Sequence, residues 1–215
     1  PNGKCKPESN LIASLLIKYG INALTIDLRN YGQSTMVSNY ENLGLSEYKD
    51  VLGAFDFLQK IGFKKNQIGL HGISLGATSV IFAAEKESSI KAIWAESSLA
   101  EFKMILQDEI SRYGMPHDFG PAVSFAGKIL TGIDPTKLSP AFSLTNHQYY
   151  YFTHGDKDKR ILPRHFYFFK NYASNNSISS DFWLATDAYH VDAMLKYPDE
   201  YGLRMKKFFE KHLSN

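Results

Sequence analysis

The stretch that most constrains the fold of this chain is residues 67–80, QIGLHGISLGATSV. Ile68-Gly69-Leu70-His71 reads as a short apolar strand that breaks at Gly72, and the small and apolar run 77–84 suits a helix. Ser74 stands at the corner, in the pattern G-x-S-x-G. A serine at a tight strand-to-helix turn takes strained backbone angles, and close neighbours favour glycine at both 72 and 76. Such a turn lifts the hydroxyl out of the sheet and sets helix N-terminal N–H groups beside it, where they can hold a developing oxyanion. The bland alternative is an ordinary strand–loop–helix junction with a serine cap.

The rest of the chain can support such a turn. Its 215 residues suffice for one α/β domain with a buried core, and 44% hydrophobic with 21% charged residues is an ordinary globular balance. A net charge of +2 without a long basic block gives no reason to expect nucleic acid as a partner. Cys5 is the only cysteine, which excludes an intrachain disulfide and a Cys-rich metal site and leans towards a reducing, cytoplasmic compartment. No apolar run has the length of a transmembrane segment, and no signal peptide is read at the beginning.

In chain order, a polar start (1–10) precedes a helix over 11–19, with Asn10 as N-cap and Gly20 as its stop. Residues 21–28, INALTIDL, suit a buried parallel strand, and 47–61 has the apolar spacing of a helix. After the Ser74 unit come a strand over 90–95 and a mainly helical stretch, 99–131, rich in large apolar residues such as Phe102, Met104, Ile105, Tyr113, Met115 and Phe125. A strand (149–153), a helix (163–172), a strand (181–185) and a closing amphipathic helix (201–212) complete the chain. Strands alternating with helices imply a parallel sheet covered on both faces.

A serine hydroxyl needs a base to take its proton, and the base needs a carboxylate to fix its tautomer. Loops at the C-terminal ends of parallel strands share one edge. That edge brings the loop His154-Gly155-Asp156-Lys157-Asp158, with two candidate carboxylates, to the side of Ser74, and His190 to the same side as the candidate base. The remaining histidines are scattered without metal-ligand spacing.

This order of serine, acid and histidine resembles the α/β-hydrolase superfamily over nearly the whole chain. Asp27-Leu28-Arg29-Asn30-Tyr31-Gly32-Gln33-Ser34 is similar to its D-x-R-G-x-G-x-S loop, with Asn30 where glycine is usual. His154-Gly155-x-x-Asp158 resembles its H-G-x-x-D turn, which favours Asp158 over Asp156. His190 followed by Tyr197-Pro198-Asp199-Glu200-Tyr201, with Ser97-Ser98, Asp134-Pro135 and Ser139-Pro140, resembles the bacterial serine-aminopeptidase-like and acyl-esterase-like branch. The resemblance implies a further strand between the one ending at Asp27 and the one ending at His71, carried by residues upstream of Pro1. It also implies an oxyanion hole made by the N–H of Leu75 and a second donor near Pro1-Asn2-Gly3. Proline has no N–H to give, so Asn2 is the candidate.

The expectation is one α/β-hydrolase domain over 1–215, with a mostly parallel sheet, helices on both faces and a small helical cap over 99–131. The cap's aromatic and Met side chains would line an acyl pocket or pack the cap onto the sheet. The expected activity is hydrolysis of a small-molecule ester or acyl substrate through an acyl-enzyme on Ser74, with His190 as base and Asp158 orienting it. No metal or organic cofactor is called for, and serine at 74 excludes an aspartate-nucleophile dehalogenase. The alternatives are a peptidase or amidase with the same three groups, and a non-catalytic binding protein on this scaffold.

Overall fold

The computed structural model describes residues 6–214. Two helices, α1 (Lys6–Lys18) and α2 (Tyr48–Lys60), precede a four-stranded sheet of β1 (Leu70–Ile73), β2 (Ala92–Glu96), β3 (Tyr149–Gly155) and β4 (Ser180–Ala185). The strands lie side by side in chain order, and every neighbouring pair is parallel. Parallel neighbours need crossovers, and helices supply them: α3 (Leu75–Lys86) after β1, α4 (Phe102–Arg112) and α5 (Gly120–Thr131) after β2, and α6 (Arg164–Asn175) after β3. The short α7 (Ala193–Lys196) and α8 (Pro198–His212) follow β4.

Side-chain alternation along the strands divides the core in two. Ile93, Ala95, Tyr150 and Phe152 point to one face, where they pack with Phe55 of α2, Ile81 of α3 and Phe169 of α6. Their neighbours Ala92, Trp94, Tyr151 and Trp183 point to the other, against Ile12 and Leu16 of α1 and Tyr201, Met205 and Phe208 of α8. Both faces of the sheet are therefore covered, which explains why β2 is buried at every residue and reads as an apolar run closed by one charged residue, Glu96. These features are those of the α/β-hydrolase fold.

Residues 21–28 are not a strand. A strand exists only through its ladder partner, and among the described residues this segment pairs with none. A cavity of about 1100 Å3 lies between it and β1, with Ile21, Ala23 and Ile26 among its walls on one side and Ile68, Leu70 and Gly72 on the other. Preceding the segment, α1 starts earlier than the sequence suggests, so Asn10 sits inside the helix and its side chain accepts from Thr25 Oγ1 (3.0 Å) instead of capping. The stop at Gly20 is as expected: φ is +81°, with the Gly20 N–H on Ile17 O and the Ile21 N–H on Leu16 O, a left-handed C-terminal cap.

The loop 27–34 folds around Asp27, whose carboxylate accepts the Gln33 N–H (3.0 Å) and whose carbonyl accepts the Ser34 hydroxyl (2.6 Å). Asn30 has φ +67°, a left-handed conformation that asparagine tolerates, and its Oδ1 accepts the N–H groups of Val37 and Ser38. That accounts for asparagine at a position where the family loop has glycine.

Two buried side chains anchor α4 to α6. Asp108 pairs with Arg164 and accepts from His165 Nε2 (3.0 Å), while His165 Nδ1 accepts the Ala100 N–H (2.9 Å). By contrast α5 buries only Gly120, and Phe125, Ile129 and Leu130 are exposed. The large apolar side chains of this stretch thus divide: those of α5 and of the segment before it, Tyr113, Met115 and Phe119 included, are exposed, whereas Leu99, Ile105 and Ile110 are buried. Ile105 does reach the cavity beside Ser74.

Candidate active site

Ser74 sits between β1 and α3 with φ +49° and ψ −114°, a backbone conformation that non-glycine residues rarely adopt. Its N–H extends the ladder past the end of β1 by donating to Glu96 O (2.8 Å). Gly72 is there because of crowding: a Cβ at this position would run into the Gly76 carbonyl. Gly76 differs from the expectation, since a Cβ there would meet no atom within 4 Å. Gly76 instead opens onto the cavity, so its missing side chain leaves room beside Ser74.

His190 Nε2 lies 2.9 Å from Ser74 Oγ, and His190 Nδ1 lies 2.8 Å from Asp158 Oδ2. The carboxylate fixes the imidazole as the Nδ1–H tautomer and leaves Nε2 free to accept the serine proton. The other oxygen, Asp158 Oδ1, accepts the N–H groups of Arg160 (2.8 Å) and Ile161 (2.9 Å). Burial pushes the Asp158 carboxyl up, but the hydrogen bond from His190, the nearby imidazoles and the Ile161 N–H outweigh it and hold the group below its ordinary value. Asp156, the rival carboxylate, does not reach His190. Its N–H donates to Ala185 O, and its Oδ1 is buried with no hydrogen-bond partner among the described residues.

The loop carrying His190 is tied down on several sides. The Lys157 N–H donates to Ala188 O (2.9 Å), and the Tyr197 hydroxyl donates to Thr186 O (2.8 Å). The Val191 N–H donates to Ser97 Oγ and the Ala193 N–H to Glu96 Oε1, both at 3.3 Å. Gly155 permits the closest approach, because a Cβ on it would run into the carbonyl oxygens of Ala188 and Tyr189.

The sequence named His154 only as part of the acid turn and left Glu96 without a role. His154 is buried beside Asp158 (3.4 Å) and donates to Ile161 O (2.8 Å); burial lowers its pKa, so it is a neutral brace for the acid turn. Glu96 is buried, and desolvation pushes its carboxyl up to about 7. Its Oε2 accepts the hydroxyl proton of Tyr201 (2.7 Å), which is also within reach of Trp94 Nε1 (3.1 Å) and His71 Nε2 (2.9 Å). Burial holds His71 down at about 3. A charged residue closing an apolar strand was the available signal for Glu96.

Leu75 opens α3, and its N–H belongs to the first turn, whose donors have no partner within the helix. Asn2 lies outside the described residues. The cavity continues past Ser74 and His190 to Leu43, Leu99, Ile105 and Ile161. At its rim Glu109 of α4 pairs with Arg160 (2.6 Å) and Arg112 (2.8 Å), and Arg112 also donates to the carbonyls of Lys159 and Arg160. The helix after β2 is thereby fastened to the loop that bears Asp158. Among the described residues, no group of three or more His, Cys, Asp or Glu is arranged to hold a metal ion, and no helix is long and apolar enough to cross a membrane.

Comparison with known proteins places this geometry in context. The profile of the prolyl oligopeptidase family matches residues 9–215. No curated protein sequence matches the chain. Among solved structures, an esterase from Pyrococcus furiosus superposes with a TM-score of 0.71 at 20% identity, covering 96% of this chain and 77% of its own. An acylaminoacyl peptidase from Pyrococcus horikoshii gives 0.60 at 19% identity, covering 79% of this chain but 28% of its own. A puromycin-hydrolysing peptidase from Mycobacterium tuberculosis gives 0.65 at 15% identity, covering 80% and 26%. At these identities the structures speak for the fold, while the profile, spanning nearly the whole chain, shows the family. The chain belongs to the prolyl oligopeptidase family of serine hydrolases.

Proposed function

We propose that the protein hydrolyses carboxylic esters through an acyl-enzyme on Ser74. The observation that carries this reading is the unbroken hydrogen-bond chain from Ser74 Oγ through His190 to Asp158, at 2.9 and 2.8 Å. As Ser74 Oγ bonds to the ester carbonyl carbon, its proton passes to His190 Nε2, and Asp158 stabilises the imidazolium that forms. The carbonyl oxygen becomes an oxyanion held by the Leu75 N–H, with Asn2 proposed as the second donor. Collapse breaks the ester C–O bond, and the leaving alcohol takes the proton from His190. Water then repeats the sequence, with His190 as base, releasing the carboxylic acid and restoring the serine.

The acyl side fits the apolar wall made by Leu43, Leu99, Ile105 and Ile161. The helices over 99–131 serve as a small cap, with α4 as its working part. The similarity to the Pyrococcus furiosus esterase, which extends over 77% of that chain, favours ester substrates.

A second reading, amide or peptide cleavage by the same groups, draws on the family and on the similarity to two peptidases. Fluorophosphonate labelling of wild type beside Ser74→Ala and His190→Ala tests the shared chemistry. Labelling of wild type alone supports an activated serine; an unlabelled, folded wild type points to a binding protein. Parallel turnover of p-nitrophenyl esters and aminoacyl anilides separates the two substrates, and hydrolysis of the anilide alone would overturn the ester reading.

A further inference from the structure

Glu96 touches both halves of the site without touching the reacting atoms. Its main-chain carbonyl accepts the N–H of Ser74 (2.8 Å). Its carboxylate Oε1 accepts the N–H of Ala193 (3.3 Å), three residues beyond His190, and its Oε2 accepts the proton of Tyr201 on α8 (2.7 Å). Tyr201 is itself fixed, since its one donor is used on Glu96 and its two acceptor positions face the Trp94 indole N–H and His71 Nε2. Glu96, Tyr201 and Trp94 are all 1% exposed or less. The hub is therefore held by packing on one side and presents its second carboxylate oxygen, Oε1, to the histidine loop.

We propose that Glu96 is a positioning residue: braced by Tyr201, it fixes the loop that carries His190 against the same strand end that holds Ser74. This rests on the serine-hydrolase reading. The loop needs such a tether because its backbone is strained, with φ +55° at Asp187 and +52° at Val191. The tether has a directional logic as well. Both carboxylate oxygens receive donors, so alanine removes two acceptors at once and leaves the Ala193 N–H and the Tyr201 hydroxyl without them. Glutamine keeps an oxygen for Ala193 and turns its amide towards Tyr201. The hydroxyl can take that donor by directing its own proton to His71 in the other tautomer.

The test combines fluorophosphonate labelling rates, melting temperatures and the low-field proton resonance of the His190–Asp158 hydrogen bond. The set is wild type, Glu96→Ala, Glu96→Gln, Tyr201→Phe and Phe169→Leu. The last is a core change in the other cluster, away from the site. Glu96→Ala is expected to label about 10- to 100-fold more slowly and to lose the resonance. Glu96→Gln should recover most of both, and Phe169→Leu should melt earlier with its labelling rate kept. Wild-type rate and resonance in Glu96→Ala, or equal slowing in Phe169→Leu, would overturn the proposal. If Glu96→Ala fails to fold, Tyr201→Phe decides: slowed labelling supports the tether and an unchanged rate refutes it. An unlabelled wild type would sink the hydrolase reading, and the resonance would then judge the tether. Present in wild type and lost without Glu96, it upholds the positioning role; absent from both or kept in both, it overturns it.

Discussion

Gly155 and Ala188 approach each other so closely that a single methyl group cannot be placed between them: a Cβ on the glycine would run into the alanine carbonyl. One residue closes the strand that leads to the acid, and the other opens the loop that leads to the histidine. The contact sets how far His190 stands from the end of the sheet.

Gly155→Ala is expected to push that loop outward. A displacement of about 1 Å at His190 lowers kcat/KM by roughly 100-fold. Ester kinetics with the melting temperature of the variant check this, and a wild-type rate in Gly155→Ala would show that the contact is not needed.

Asp158→Asn should lower kcat by about 10⁴-fold, because an amide facing Nδ1 selects the wrong imidazole tautomer. Asp156→Asn should leave the rate close to that of wild type. The Asp158 carboxyl is held below its ordinary value of 3.8, so its stabilising contribution is present above that value and fades as pH falls through the lowered folded pKa. Acid melting of wild type and Asp158→Asn should therefore converge at the lowest pH. The measurement is kcat for both variants with melting temperatures from pH 2 upward.

The two glycines beside Ser74 should behave oppositely. Gly72→Ala drives a methyl group into the Gly76 carbonyl and is expected to prevent proper folding. Gly76→Ala meets open space inside the first turn of α3 and should gain up to about 1 kcal/mol of helix stability. Its cost falls on the substrate, as a raised KM. Thermal melts and steady-state kinetics on the two proteins distinguish these outcomes.

Glu96 makes stability depend on pH in the neutral range. Its carboxyl stands near 7 when folded against 4.5 when free, so the folded state holds a proton that the unfolded chain releases. Its contribution is complete below about pH 4.5 and is lost as pH rises to about 7, on the order of 3 kcal/mol in all. Asp158 and Asp192 face it with negative charge, while the Tyr201 hydroxyl and the Ala193 N–H favour the ionised form; His71 adds no charge, being neutral down to about 3. Glu96→Gln should flatten this slope relative to wild type. Melting temperatures at pH 5 and 8 measure it, and parallel curves would contradict it.

Much of this was legible from the residues. Alternating strands and helices announced a parallel sheet, and the shared edge of such a sheet brought Ser74, Asp158 and His190 into one place before any coordinate was known. Spacing alone left Asp156 and Asp158 level, since both lie in one short loop. What separates them is the direction of the turn, in which the N–H groups of Arg160 and Ile161 converge on Asp158. Residues 21–28 have strand composition, yet a strand is a property of two segments, and pairing does not reside in either alone. For α5, apolar periodicity announced a helix without stating whether anything covers it, and Phe125 and Ile129 stand exposed. Glu96 escaped notice because a lone carboxylate closing an apolar strand is a signal without a stated partner; its meaning depends on Tyr201, more than a hundred residues away.

Ser74, Ser97, Asp187 and Val191 all have φ between +49° and +55°, in loops at one edge of the sheet. Each such residue costs about 1–3 kcal/mol, so backbone strain is gathered at this edge, beside the fully buried strand β2. Local opening draws on regions of this kind first. On warming, activity should therefore fade while the sheet still holds, and the temperature of half-inactivation should fall below the melting temperature of the fold.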